Sequence, residues 1–168
     1  MEIKQVDALT DAEQQKLFGW GEDIFGVSPL TLHWRHKDVR FVLYDNGEPV
    51  SHAGILMHSV NVNGQPVPVA GLGGVVTVPE ARRKGFARQL VQHAIRFAED
   101  EWKVDAGLLF CRPQMVKYYE ALGWQVAESP VIVEQPSGKI ASPLHVMILA
   151  FGEVCWPEGS TDLQSLPW

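Results

Sequence analysis

Apolar and polar positions along this 168-residue chain recur with two periods, and each change of period marks an element. Thr10-Asp11-Ala12-Glu13 has the form of a capping box, and Leu17 and Phe18 give the helix it opens an apolar edge. A glycine-rich break runs from Gly19 to Pro29, and Leu30 to His36 reads as a second short helix. The pattern then becomes that of strands. Phe41 to Tyr44 leads into a tight turn at Asp45-Asn46-Gly47-Glu48, a returning strand covers Val50 to Val60, and Asn63-Gly64 turns into a third strand ending at Val78. Phe86, Leu90, Val91, Ala94, Ile95, Ala98 and Trp102 recur at helical spacing, opposite Arg88, Gln89, Gln92, Arg96, Glu99 and Asp100. Ala106 to Cys111 reads as a buried strand and Gln114 to Leu122 as a helix. Trp124 to Val126, Val131 to Glu134 and Leu144 to Phe151 read as strands, and an extended tail follows from Pro157. This order predicts an α+β fold built around one mixed sheet, as one domain over residues 1–168.

Composition narrows the classes. Hydrophobic residues at 46% and charged ones at 20% describe an ordinary globule. No apolar run approaches the ~20 residues of a membrane span. The start, Met1-Glu2-Ile3-Lys4-Gln5, lacks the basic end and apolar stretch of a signal peptide, so a cytoplasmic location is expected. A net charge of −6 opposes nucleic-acid binding. Cys111 and Cys155 give neither a disulfide framework nor a metal cage. His33 and His36 have a spacing that would share a helix face, but no third ligand stands near them, and no metal is expected.

One segment carries positive charge against that acidic background. Arg82-Arg83-Lys84-Gly85-Phe86-Ala87 follows the strand-like run Gly73-Gly74-Val75-Val76-Thr77-Val78 and opens the long helix. The first amides of a helix lack intrahelical partners, and its dipole adds positive charge there. Gly85 allows close approach and Ala87 removes bulk, so the natural occupant is a phosphate or pyrophosphate. The phosphate-loop pattern G-x-x-x-x-G-K-[ST] is absent, and Gly71-x-Gly73 lacks its third glycine because Val76 stands there.

Val76-x-Val78-Pro79-x-x-Arg82-x-x-Gly85-x-Ala87 resembles the acetyl-CoA signature of the GNAT superfamily of N-acetyltransferases. Tyr118-Tyr119-Glu120-Ala121-Leu122-Gly123-Trp124 resembles the superfamily's second landmark, at the usual separation. The resemblance implies a GNAT-like mixed sheet flanked by helices, with acetyl-CoA as co-substrate. Main-chain groups of Val76, Thr77 and Val78 would hold the pantetheine arm. Arg82, Arg83, Lys84, Gly85, Phe86, Ala87 and Arg88 would hold the pyrophosphate. Arg112 stands where the family often has an asparagine that contacts pantetheine. Tyr119 falls on the family's acid position and Tyr118 does not. A protonated phenol, with a pKa of about 10 against about 8.5 for a thiol, can supply the proton the leaving thiolate needs.

The tail, Cys155-Trp156-Pro157 to Trp168, resembles that of aminoglycoside 2′-N-acetyltransferases. That likeness points to Trp168, whose terminal carboxylate would meet an ammonium group, while the region that contacts acceptors in the family supplies the acidic Glu22 and Asp23, joined by Glu153, Glu158 and Asp162 of the tail. The 2′ enzymes carry a glutamate where this chain has Gly73, leaving His52, His58, Glu22 and Asp23 as alternative bases. Cys111 could support an acetyl-cysteine route, but a buried inert thiol is the favoured reading. The expected activity is acetyl transfer to a primary amine of a small cationic molecule. A protein or peptide N-acetyltransferase and a catalytically weak CoA-binding regulatory module are the alternatives, and a homodimer is left open.

Overall fold

A computed structural model describes residues 1–168, with ten strands in one mixed sheet. In chain order the elements are β1 (Glu2–Val6), α1 (Asp11–Phe18), β2 (Val39–Asp45), β3 (Glu48–Val62), β4 (Gln65–Thr77), α2 (Phe86–Phe97), β5 (Ala106–Cys111), α3 (Val116–Glu120), β6 (Gln125–Val126), β7 (Val131–Gln135), β8 (Gly138–Ala141), β9 (His145–Ala150) and β10 (Thr161–Asp162). β1 to β4 pair antiparallel in sequence order. β4 then pairs parallel with β5, which pairs with β9, and β9 with β6. β10 lies antiparallel to the far end of β3 and parallel to β7, and β8 closes that edge.

Local chemistry accounts for much of this. The capping box forms, with the Thr10 amide donating to the Glu13 carboxylate at 2.8 Å and the Glu13 amide to the Thr10 hydroxyl at 3.2 Å. Asn46-Gly47 and Asn63-Gly64 take the left-handed φ values that two-residue hairpin turns need. The sheet buries both faces. Leu72, Leu109 and Phe41 pack with α1 and α2, while Leu56, Val69 and Leu108 pack with Val133, Leu163 and Trp168. This alternation follows the period of two along β4 and β5.

Several expectations are corrected. Leu30 to His36 is not a helix: one 3₁₀ turn, Ser28–Leu30, ends at Thr31 with φ 51. The chain after it pairs with distant partners instead. Arg35 N–H donates to the Pro167 carbonyl at 2.7 Å, and His33 N–H to the Gln135 side chain at 2.9 Å. His33 and His36 therefore do not share a helix face. The basic segment precedes α2 rather than opening it, since the helix starts at Phe86. Gln114 lies in a 3₁₀ turn, Pro113–Met115, ahead of the shorter α3. β1, β8 and β10 carry too few buried positions for their alternation to be readable. The extended tail beyond Pro157, by contrast, docks on the sheet through β10, with Leu163 and Trp168 buried.

Candidate active site

The site begins where two strands part. β4 and β5 pair from Val69 and Ala106 to Leu72 and Leu109, and no pairing continues beyond. The cause lies on the other side of β4, whose register with β3 slips between His52 and Gly54. Gly74, at φ 61, and Val75 form the bulge opposite that slip and bend the strand end outward. Side chains of β3 fasten the bent end. His52 Nδ1 meets the Gly74 carbonyl at 2.6 Å, and the Ser51 hydroxyl donates to the Val76 carbonyl at 2.8 Å. Burial pushes the His52 imidazole down to about 4, so the ring is neutral at pH 7 and Nδ1–H is the donor. Its role in the fold is that of a clasp.

On the helix face of the split lies a cavity of about 620 Å³, floored by Val75, Val76 and Thr77 and walled by the basic turn. No main-chain N–H from Arg83 to Arg88 has an acceptor in the protein, and Gln89 is the first to bond back, to the Gly85 carbonyl at 3.1 Å. Arg83 and Gly85 are both left-handed, the alternation that turns successive amides into an anion-binding nest. A β-carbon on Gly85 would meet nothing within 4 Å, so the glycine is there for the turn. The Arg82 guanidinium lies over the Trp20 ring at 5.0 Å. Eight expected cofactor contacts, Val76, Thr77, Arg82, Arg83, Gly85, Phe86, Ala87 and Arg88, line this cavity. Val78 and Lys84 stand outside it, and Lys84 turns toward Asp45 at 3.9 Å. Amides, arginines and an apolar floor fit a pyrophosphate with a pantetheine arm.

A second cavity, of about 560 Å³, opens beyond the split, and Arg112 faces it rather than the first. The two cavities share Ile24, Phe25, Val75, Met115 and Tyr119, so they are one cleft. Tyr119 stands at the junction, and its hydroxyl makes no hydrogen bond to the protein. Burial, then the neighbouring Tyr118 and Cys111, raise its pKa and keep the phenol protonated. Tyr118 faces only the first cavity. Cys111 lines the second, and burial pushes its thiol up to about 11.

Trp168 closes the second cavity. Its indole donates to the Leu108 carbonyl at 3.1 Å and stands edge-on to His58 and Phe110. A β-carbon at position 71 would overlap the indole, so the tail docks only because β4 has Gly71. His58 takes a hydrogen bond from Arg35 on Nδ1 and so donates from Nε2 to the Leu163 carbonyl, at 2.8 and 2.7 Å. Both nitrogens of His58 are engaged; His52 keeps an unpartnered Nε2, but that atom is buried and His52 lines neither cavity. Asp23 and Glu22 line neither cavity. The Asp23 carboxylate binds the Ser28 hydroxyl and the amides of Val27 and Ser28, which hold its pKa low. Lys37 and Trp34, with no local motif around them, line the second cavity. An open hollow of about 1180 Å³ along β6 and β9 shares no residue with the cleft.

No helix is long and apolar enough to cross a membrane. No curated protein matches the sequence. The fold is similar to that of a GNAT family acetyltransferase from Brucella melitensis in complex with acetyl-CoA, at TM-score 0.58 and 15% identity, covering 95% of this chain and 94% of that one. It is also similar to YhbS, a GNAT family N-acetyltransferase from Escherichia coli in complex with CoA, at TM-score 0.62 and 14% identity over 96% and 88% of the two chains. Escherichia coli ElaA matches at TM-score 0.58 and 14% identity, over 88% of this chain and 98% of that one. Residues 7–127 match the family model described as an acetyltransferase (GNAT) domain, a span that takes in the bulge, the amide turn and the tyrosine helix together. The chain therefore belongs to the GNAT acetyltransferase family, whose co-substrate is acetyl-CoA.

Proposed function

We propose that this acetyltransferase moves the acetyl group directly from acetyl-CoA to the primary amine of a small molecule, with Tyr119 as the acid. One observation carries the reading: Tyr119 is the only ionisable residue common to the two cavities. A thioester held along Val75 to Thr77 presents its carbonyl carbon to the acceptor side and its sulfur to the phenol. The neutral amine adds to that carbon, and the carbon–sulfur bond then breaks. The thiolate takes the Tyr119 proton, and the phenolate regains one from the nitrogen of the collapsing adduct. Tyr119 stays protonated until that moment because burial disfavours its anion. Cys111 supports no covalent route, since a thiol at about 11 offers almost no thiolate at pH 7.

The acceptor cavity favours a small molecule over a protein, because Trp168 and the 24–27 loop wall it in. It does not favour a polycation such as an aminoglycoside. Its side chains include Lys37 and Arg112 and no aspartate or glutamate, and the carboxyl carbon of Trp168 lies over Gly73 beside Lys37, so little negative charge is left for several ammonium groups. A purely regulatory CoA-binding module is disfavoured by an ionisable phenol at the junction of the two cavities. Thiol release from acetyl-CoA, measured over a panel of primary amines, tests the assignment. Tyr119→Phe should lower kcat by about 10²–10⁴-fold with little change in cofactor affinity, while Tyr118→Phe stays near wild type. Equal rates for wild type and Tyr119→Phe would remove the phenol from the reaction.

A further inference from the structure

The fold fixes the Arg112 guanidinium from two sides and gives it no counter-charge. Arg112 follows β5 as the N-cap of the 3₁₀ turn Pro113–Met115. Its side chain reaches the facing loop and lies over Gly26, where a β-carbon would overlap Nη1 and come within 2.7 Å of Cζ. Gly26 is left-handed, at φ 67, so the backbone there also disfavours a side chain. Gln114 holds the other side. With its amide oxygen toward the arginine, it accepts from Nε at 2.9 Å and from Nη2. That contact takes one edge of the guanidinium and leaves Nη1, and the fork it forms with the second Nη2 proton, without an acceptor in the protein.

The other charges near the cavity have neighbours. The carboxyl carbon of Trp168 and the Lys37 ammonium lie 3.1 and 3.0 Å from the point that a β-carbon on Gly73 would occupy. Asp23, in the same loop as Gly26, turns its carboxylate to Val27 and Ser28. Arg112 belongs to none of the four ion pairs of the molecule, and no aspartate or glutamate lines the cavity with it. A carboxylate matches this single cation in charge and, with its two oxygens, in the geometry of the free fork. The position of the fork says where on the acceptor that carboxylate belongs. Arg112 follows Cys111, a neighbour of Tyr119, and Gly26 follows Phe25, which lines both cavities. The fork therefore lies at the Tyr119 end, where the amine must meet the thioester. Resting on the amine-acetyltransferase reading, we propose that the second cavity binds an α-amino acid with an apolar side chain, its carboxylate on Arg112 and its amine beside it at the junction. The side chain packs among Trp34, Phe110 and Trp168, which the cofactor half does not share. Gly26 and Gln114 are positioning residues for the guanidinium.

Pairs that differ only in the carboxylate test this: leucine and isoamylamine, phenylalanine and phenethylamine, tryptophan and tryptamine. Calorimetry on the CoA-bound protein at pH 7 compares wild type with Arg112→Met, which keeps an unbranched stem and removes the fork. Arg112→Gln serves as the second neutral variant if Arg112→Met does not fold. In wild type, at least one acid should bind about tenfold or more tighter than its amine, a typical gain for one charge-assisted contact. The neutral variants should lose that preference. Equal or reversed preference in wild type overturns the proposal, as does failure of every acid to bind, or a preference that persists without the Arg112 charge. The two readings fail separately. Acids that bind through Arg112 and are never acetylated would sink the transfer reading and leave this binding site standing, whereas amines acetylated while no acid binds would do the reverse.

Discussion

The two halves of the cleft are built by opposite means. The cofactor half is lined largely by residues between Val75 and Arg88, where a bulge, a left-handed turn and unpaired amides offer main-chain groups to a ligand. The acceptor half is made of side chains brought from remote places: Phe25, Lys37, Arg112, Tyr119 and Trp168, arranged around glycines of β3 and β4. A local backbone device needs particular residue types at fixed spacing, whereas a tertiary side-chain cavity leaves no spacing to find. The first half is accordingly readable from a motif, and the second is not.

Changes that damage one half and spare the other sharpen that contrast. The largest effect should come from Ala87→Glu, which sets a carboxylate among the free amides of the turn. Charge and bulk both oppose a pyrophosphate there, and acetyl-CoA affinity by calorimetry should fall about 100-fold or more, roughly 3 kcal/mol. The melting temperature should move little, because the site is at the surface of the fold. Unchanged affinity would take the pyrophosphate out of this turn. Gly71→Ala is the matching change on the acceptor side. The new methyl group overlaps the Trp168 indole, so the tail must shift, at a cost of about 1–3 kcal/mol. Acceptor KM should rise about tenfold, with acetyl-CoA affinity within twofold of wild type. A normal KM would make Trp168 a packing residue only.

The smallest effect concerns Lys37 and pH. Its folded pKa of about 8 lies below the ordinary 10.5, so between these values the unfolded chain binds more protons. Stability contributed at this residue therefore rises with pH through that window, and below about pH 8 the full burial penalty is present. Lys37→Met should be more stable than wild type at pH 7, on the order of 1–3 kcal/mol, and the gap should narrow toward pH 10.5. Denaturant melts at both pH values check this, and a gap independent of pH would mean the ammonium is not desolvated.

What was legible in the sequence follows the same division. The capping box, the two Asn-Gly turns and the period of α2 are local and matched the structure. The Leu30 to His36 helix failed because its amides find partners in Gln135 and Pro167, more than a hundred residues away. Gly71-x-Gly73 was readable as a phosphate loop that failed and as the place of a missing glutamate, because nothing local says that an indole and a lysine stem will lie across it. Glu22 and Asp23 carried the right charge for an ammonium, yet Asp23 is occupied in closing its own turn. Tyr119 was legible through its motif, but its place between two cavities depends on how β4 bends away from β5.

That junction is the central claim, and a crystal structure with CoA and an N-acetylated amine tests it most directly. The account predicts the thiol sulfur within hydrogen-bond reach of the Tyr119 hydroxyl, with the pyrophosphate on the amides of Arg83 to Arg88. The acyl group should cross the split toward Lys37 and Trp168. A sulfur turned away from Tyr119, or an amide product outside the cavity lined by Lys37 and Trp168, would contradict it.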